Sequence, residues 1–271
     1  MPNVKVGDID VYYEVHGDGF PLVMIMGLSA NIDWWDPRLI QETSKRYKTV
    51  IFDNRGAGRT DKPKVAYTIK MFADDTAGLM DALKIKRAHI LGISMGGMIA
   101  QEFALSHPDK VEKLMLCSTT CGASNSVQPS PQVLGLLMRP REGLTDEEAV
   151  KNMIPLLFTE DFVKSNTSYM SAVTQQLLKA PIPADAYQRQ IGAILNFDTC
   201  ERLSKIKAAT LVMQGKKDIL VPPENAKIIA DKIPGAKLVY FENSGHALFS
   251  QEPEKVNKAL LEFLRAVKKG K

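Results

Sequence analysis

Apolar residues recur along this chain in two rhythms, and their order predicts its architecture. Short, continuous apolar runs fall at residues 22–26, 49–52, 89–91, Val111–Cys117, 210–213 and Lys237–Phe241. Runs of this length are the mark of strands covered on both faces. Residues 4–13 instead alternate, with Ile9, Val11 and Tyr13 on one face and a turn at Gly7-Asp8, and predict two short strands. Helical spacing separates the runs: a helix over 38–45, a second over 72–83 with Phe72, Thr76, Leu79 and Leu83 near one face, and a third over Met95–Ser106 that His107-Pro108 stops. Pro222-Pro223 opens a helix to about residue 232, and 254–268 makes a terminal one. Strand alternating with helix predicts an α/β fold on a largely parallel sheet.

The rhythm changes after Thr119. From there to Asn196 the chain is rich in Met, Leu and Pro and has no buried strand pattern. Helices are expected over 132–138, 146–154, 161–179 and 184–197, the second capped by Thr145 through Thr145-x-x-Glu148. This stretch reads as a helical insertion over the sheet edge. The expected division is a core of residues 1–118 and 205–271 with a cap and return segment of 119–204. Met138, Met153, Met170 and Leu177 are candidates either for an apolar pocket or for packing of lid on core, because methionine adapts to irregular shapes.

Composition narrows the function classes. At 45% apolar and 24% charged, the chain is globular in character. The net charge of +4 is partly a lysine-rich tail, and no basic patch with interleaved aromatics points to nucleic acid. Three cysteines, Cys117, Cys121 and Cys200, suggest no disulfide framework, and no Cys or His cluster has metal-ligand spacing. The polar start lacks a signal-peptide core and no stretch approaches a membrane span, so a cytoplasmic protein without stable membrane insertion is expected. Asp53-x-Arg55-Gly56-x-Gly58 lacks the spacing of a dinucleotide loop and reads as a tight structural loop. Asp53 and Arg55 are expected to pair, Asp75 and Asp81 to be solvated, and His89 to pack or turn rather than ligate.

The candidate chemistry centres on Gly92-x-Ser94-x-Gly96, at the bend between an apolar strand and a helix. Glycines two residues either side of a serine let strand and helix approach closely and hold the serine in a strained conformation with its hydroxyl exposed. Asp218 and His246 also follow predicted strands, where open parallel sheets gather their ligands. In chain order the three read nucleophile, acid, base. His246 would take the proton of Ser94, and Asp218 would orient the imidazole. The backbone amides of Met95 and Leu28 are the expected oxyanion donors, and Trp34 and Trp35 could wall the pocket.

These residues carry a resemblance to the α/β-hydrolase family, in its branch of small serine esterases and lactonases. Its motifs are Asp53-Asn54-Arg55-Gly56-Ala57-Gly58-Arg59-Thr60, Gly92-Ile-Ser94-Met-Gly96-Gly97, Gly215-Lys-Lys-Asp218 and Gly245-His246. The resemblance implies a three-layer α/β fold with an eight-stranded, mostly parallel sheet and an inserted helical cap. It matches Ser94, Asp218 and His246 to the family's triad, and Leu28 and Met95 to its oxyanion positions. Met26-Gly27 stands where many relatives have His-Gly, which alters how that loop is anchored, and Thr60 where relatives often have serine. The function implied is hydrolysis of small, mainly apolar carboxylic esters, without a cofactor. Lactone opening, cofactor-free carbon–carbon bond hydrolysis and perhydrolysis use the same residues, and a non-catalytic small-ligand receptor is the alternative of another class.

Overall fold

The apolar runs become the strands of one sheet. In the computed structural model, which describes residues 3–122 and 124–266, they are β1 (Asn3–Val6), β2 (Ile9–His16), β3 (Phe20–Ile25), β4 (Tyr47–Phe52), β5 (Ala88–Ile93), β6 (Val111–Cys117), β7 (Ala209–Gly215) and β8 (Lys237–Phe241). Their order is β1-β2-β4-β3-β5-β6-β7-β8. β2 pairs antiparallel with β1 and β4, and every other neighbouring pair is parallel. The eight-stranded, mostly parallel sheet is therefore as expected.

The continuous apolar strands serve two cores at once. In β3, Val23 and Ile25 join a core with α2 (Ile69–Ala82) and α3 (Met95–Ser106), while Leu22 and Met24 join a core on the other face. That second core also holds α1 (Pro37–Ser44) through Leu39 and the terminal helix through Val256, Leu260 and Phe263. Successive strand residues point to opposite faces, so a run without polar interruptions is what a three-layer fold demands.

Between β6 and β7 lie α4 (Pro131–Met138), α5 (Asp146–Leu157), α6 (Glu160–Ser165), α7 (Thr167–Leu177) and α8 (Ala184–Leu195). Thr145 and Glu148 form the expected reciprocal cap of α5. The single helix expected over 161–179 is two, because Asn166 leaves helical geometry at φ −130°, ψ 44° and its side chain bonds back to the Phe162 carbonyl at 2.9 Å. After β7 come α9 (Glu224–Lys232), α10 (Leu248–Gln251) and α11 (Pro253–Arg265). The last two residues expected in the terminal helix, and the lysine-rich tail, lie outside the described residues.

Three expectations are corrected. Cys121 and Cys200 form a disulfide across a sequence separation of 79, leaving Cys117 as a buried free thiol. The bridge ties both ends of the inserted helices together, reinforced by the Thr199 amide on the Cys121 carbonyl at 2.7 Å. Asp75 is buried, not solvated: it takes two hydrogen bonds of 2.7 Å from Arg55. Arg55 therefore does not pair with Asp53, whose carboxylate instead accepts the amides of Ile32 and Arg59, each at 2.7 Å. The positive φ of Gly56, +85°, turns the loop so that neighbours in sequence face different partners. Among the described residues no helix is long and apolar enough to cross a membrane, and no group of three or more His, Cys, Asp or Glu side chains could hold a metal ion.

Candidate active site

The bend between β5 and α3 is built from glycine and strain. Ser94 sits at φ +58°, ψ −123°, a region L-residues rarely occupy. A Cβ on Gly92 would lie 2.1 Å from the Gly96 carbonyl oxygen, and one on Gly96 would lie 2.1 Å from that of Ile25. Both obstacles are backbone and cannot swing aside, so only glycine permits this crossing of strand and helix. The Ser94 carbonyl is fixed by the amides of Gly97 and Met98 and by the Thr119 hydroxyl at 2.7 Å. Its side chain lines a cavity beside the start of α3, where the amides of the first two helical positions, Met95 and Gly96, precede any intrahelical acceptor. Met95 is the first of these residues.

Asp218 and His246 meet across the ends of β7 and β8. Asp218 Oδ1 accepts the amides of Leu220 and Val221, each at 2.9 Å, and Oδ2 accepts Gln214 Nε2 at 2.9 Å. Oδ2 also lies 2.8 Å from His246 Nδ1, with both side chains buried. A carboxylate on Nδ1 favours the tautomer that carries its proton there and leaves Nε2 free to accept another. The His246 carbonyl accepts the Ser118 hydroxyl at 3.0 Å, and the next amide, that of Ala247, donates to the Leu157 carbonyl at the end of α5 at 2.8 Å. A Cβ on Gly215 would strike the Gly245 carbonyl oxygen at 2.3 Å, so the two loops pack without space for a side chain.

Ser94 and His246 line one cavity of about 410 Å³. Its floor includes Met26, Gly27 and Leu28 after β3. Its far wall comes from the inserted helices, including Met138, Met153 and Leu177. Trp34 and Trp35 are both on the wall, and Trp35 also packs edge-on against Phe249. Met170 is buried in α7 but is not a wall residue. The loop before Leu28 is anchored by Asn54, which donates to the Met26 carbonyl at 2.8 Å. Thr60 keeps the role a serine could fill: its hydroxyl donates to the Asp53 carbonyl at 2.8 Å and accepts the Tyr12 amide at 2.9 Å.

Several supporting residues were not apparent from sequence. Gln190 on α8 accepts the Ser29 amide at 2.8 Å and donates to the Arg55 carbonyl at 3.0 Å, joining the inserted helices to the loops after β3 and β4. Gln101, with no role visible in the sequence, donates to the carbonyls of Gly97 and Thr120 and accepts the Thr199 hydroxyl at 2.9 Å, linking α3 to the disulfide region. Gln101, Gln190 and Gln214 are fully buried. For Gln101 and Gln214 the available signal was a glutamine within an otherwise apolar run, since a buried amide must find partners; Gln190, after Gln188-Arg189, carried none.

Comparison with known proteins agrees with this fold. The family profile described as the alpha/beta hydrolase fold matches residues 21–253. A putative carbamate hydrolase, RutD, of Caulobacter sp. (strain K31) is 30% identical over 271 residues, which cover 96% of this chain and 98% of that protein. The crystal structure of an enol-lactonase from Burkholderia xenovorans LB400 superposes with a TM-score of 0.87 at 25% identity, covering 98% of this chain and 100% of that one. A thermophilic esterase from Thermogutta terrifontis superposes with a TM-score of 0.83 at 27% identity, covering 98% of each chain.

Proposed function

We propose that this chain, which belongs to the α/β-hydrolase family and is a hydrolase, cleaves small, mainly apolar carboxylic esters through an acyl-enzyme formed on Ser94. The observation that carries this reading is the strained Ser94 on the same cavity wall as His246, whose Nδ1 is held 2.8 Å from Asp218. His246 Nε2 takes the hydroxyl proton as Ser94 Oγ attacks the ester carbonyl. The amides of Met95 and Leu28 receive the negative charge that develops on the carbonyl oxygen. As the tetrahedral intermediate collapses, the imidazolium gives its proton to the leaving alcohol, and the acyl group stays on Ser94. Water then loses a proton to His246 as it attacks the acyl carbon. The acid departs and the serine hydroxyl is restored. Asp218 stabilises the imidazolium throughout. The apolar wall contributed by the inserted helices, acting as a cap, favours modest acyl or aromatic groups over large charged ones.

Lactone opening is the second reading, supported by likeness to the Burkholderia xenovorans enol-lactonase. A lactone is an ester whose leaving alcohol remains tethered, so every step above applies to it. The test is labelling with a fluorophosphonate probe and peptide mapping, followed by turnover of a panel of esters, lactones and a carbamate. Ser94 should carry the label, heat-denatured protein should not react, and Ser94→Ala should lower kcat by about 10⁶-fold on the best substrate. Turnover at background throughout the panel, unchanged in Ser94→Ala, would sink the proposal.

A further inference from the structure

The loop after β3 carries Leu28 to the cavity that Ser94 lines, and it is strained where it does so. Gly27 runs against the nucleophile: a Cβ there would lie 3.0 Å from that of Ser94. The Ala30 amide closes a turn onto the Gly27 carbonyl at 3.3 Å, with Leu28 and Ser29 between them. Ser29 sits at φ +62°, a left-handed conformation that L-residues avoid. Its hydroxyl is buried and has no hydrogen-bond partner among the described residues, so it gives the turn no local support. A conformation of this kind persists only where its surroundings impose it.

The surroundings act from two sides. From the sheet, Asn54 donates to the Met26 carbonyl and Asp53 accepts the Ile32 amide, which pins the two ends of the loop. From the inserted segment, the Ala180 carbonyl accepts Asn31 Nδ2 at 2.7 Å, and Gln190 Oε1 accepts the Ser29 amide at 2.8 Å. Of these four bonds, the one from Gln190 alone reaches inside the turn. It meets the peptide that joins Leu28 to Ser29. That peptide is planar and holds Leu28 Cα in the plane of the Ser29 N–H, so fixing the one fixes the atom that bears the Leu28 amide.

Gln190 is built for this task. It lies among the buried residues of α8 with Tyr187 and Ile191, where an amide costs free energy unless both its ends are matched. Its Nε2 donates to the Arg55 carbonyl at 3.0 Å, which turns Oε1 toward Ser29. The Arg55 guanidinium is itself engaged by Asp75 and Asp8. The amide thus spans from a fixed point of the core to the strained turn. An apolar side chain would serve the packing of α8 as well, so the demand for an amide comes from the loop.

We propose that Gln190 is a positioning residue: through the Ser29 amide it holds the Leu28 N–H where the oxyanion forms, which makes the inserted helices part of the catalytic apparatus as well as its roof. Gln190 touches no reacting atom. The proposal deepens the ester-hydrolase reading and rests on it.

The test uses 4-nitrophenyl butyrate. Gln190→Met keeps the length of the side chain and removes both bonds. It should lower kcat by about 30- to 100-fold while KM changes by less than about 3-fold. A matched pair of ketones supplies the second readout. Ser94 Oγ adds to a trifluoromethyl ketone, its proton passing to His246 and the carbonyl electrons to an oxyanion, whereas the unfluorinated ketone binds as a planar carbonyl. In Gln190→Met the affinity for the first should fall by the same factor as kcat, and that for the second by less than about 3-fold. Gln190→Glu separates position from folding. Its carboxylate offers the Arg55 carbonyl no donor, but its protonated form, which burial favours, restores both bonds. Dividing by the native kcat at each pH removes the titration common to both proteins. That ratio should rise by about 10-fold from pH 8.5 to pH 6 for Gln190→Glu and stay flat for Gln190→Met. A loss that appears in KM with kcat intact, equal weakening of the two ketones, or a Gln190→Glu ratio that ignores pH overturns the positioning role and leaves the hydrolase reading intact. A native protein that turns over no ester, with Ser94 inert to a fluorophosphonate, overturns the hydrolase reading and the positioning role with it.

Discussion

His89 gives the fold a built-in acid sensitivity. It is the second residue of β5, the strand that leads into Ser94, and its ring lies between Phe20, at 4.8 Å between centroids, and Tyr47, at 5.7 Å. It is buried, and its Nδ1 has no hydrogen-bond partner among the described residues. Burial first, then the nearby charges of Lys113 and Arg87, push its pKa down from 6.5 to about 4. The sign follows from linkage. Between these values the unfolded chain binds a proton that the native one refuses, so stability falls as pH falls. The drop should be about 2 kcal/mol near pH 5 and approach about 3 kcal/mol below the folded pKa, where it levels off. Burial raises the pKa of Asp53 and of Asp75, which acts in the opposite direction, but both are shared with any His89 variant and cancel in a comparison. Urea unfolding of the native chain and His89→Leu from pH 7.5 to 4 is the assay. The variant should lose less stability over that interval by about 3 kcal/mol, and a proton resonance of the native His89 ring should titrate well below 6. Parallel stability curves for the two proteins, or a ring that titrates near 6.5, would refute the reasoning.

Other outcomes follow from the same geometry. Asp218→Asn keeps the side chain's shape but removes the charge facing His246 Nδ1, and should lower kcat by about 10⁴-fold with little change in KM. Gly96→Ala drives a methyl into the Ile25 carbonyl and should cost about 3 kcal/mol or more in urea unfolding, or abolish soluble expression. Thiol counting in denaturant should find one reactive cysteine before reduction and three after it. Replacing Cys121 and Cys200 with serine should destabilise the fold by up to about 4 kcal/mol, the entropy of closing a loop of that length.

The sheet and the bend at Ser94 were legible because their signals are local. A run such as residues 22–26 reports that both faces are buried, and Gly92-x-Ser94-x-Gly96 carries its steric demand within five residues. What escaped was long-range partnership. Asp75 occupies a position on α2 that sequence spacing leaves polar, yet its partner, Arg55, arrives from a loop twenty residues earlier. Cys121 and Cys200 lie beyond the reach of any local pattern, and composition argued against pairing them. The break at Asn166 falls in Ser165-Asn166-Thr167-Ser168, residue types that compete with helical backbone bonds, and the Asn166 side chain does so by bonding to the Phe162 carbonyl; that local signal was passed over for the helical spacing around it.

The bond between Cys121 and Cys200 gathers the ends of the segment that carries the five helices between β6 and β7. The chain departs from the end of β6 and returns toward β7 through one doorway, with the two Cα atoms 4.9 Å apart. The register of β6 against β7, Lys113 opposite Ala209 through Cys117 opposite Met213, is set outside that doorway. Lengthening a loop already closed at its root adds little entropic penalty. A segment of different length between the cysteines should recast the roof of the cavity with the sheet beneath in place, provided it keeps the bonds that Gln190 and Leu157 make to the loops after β3, β4 and β8.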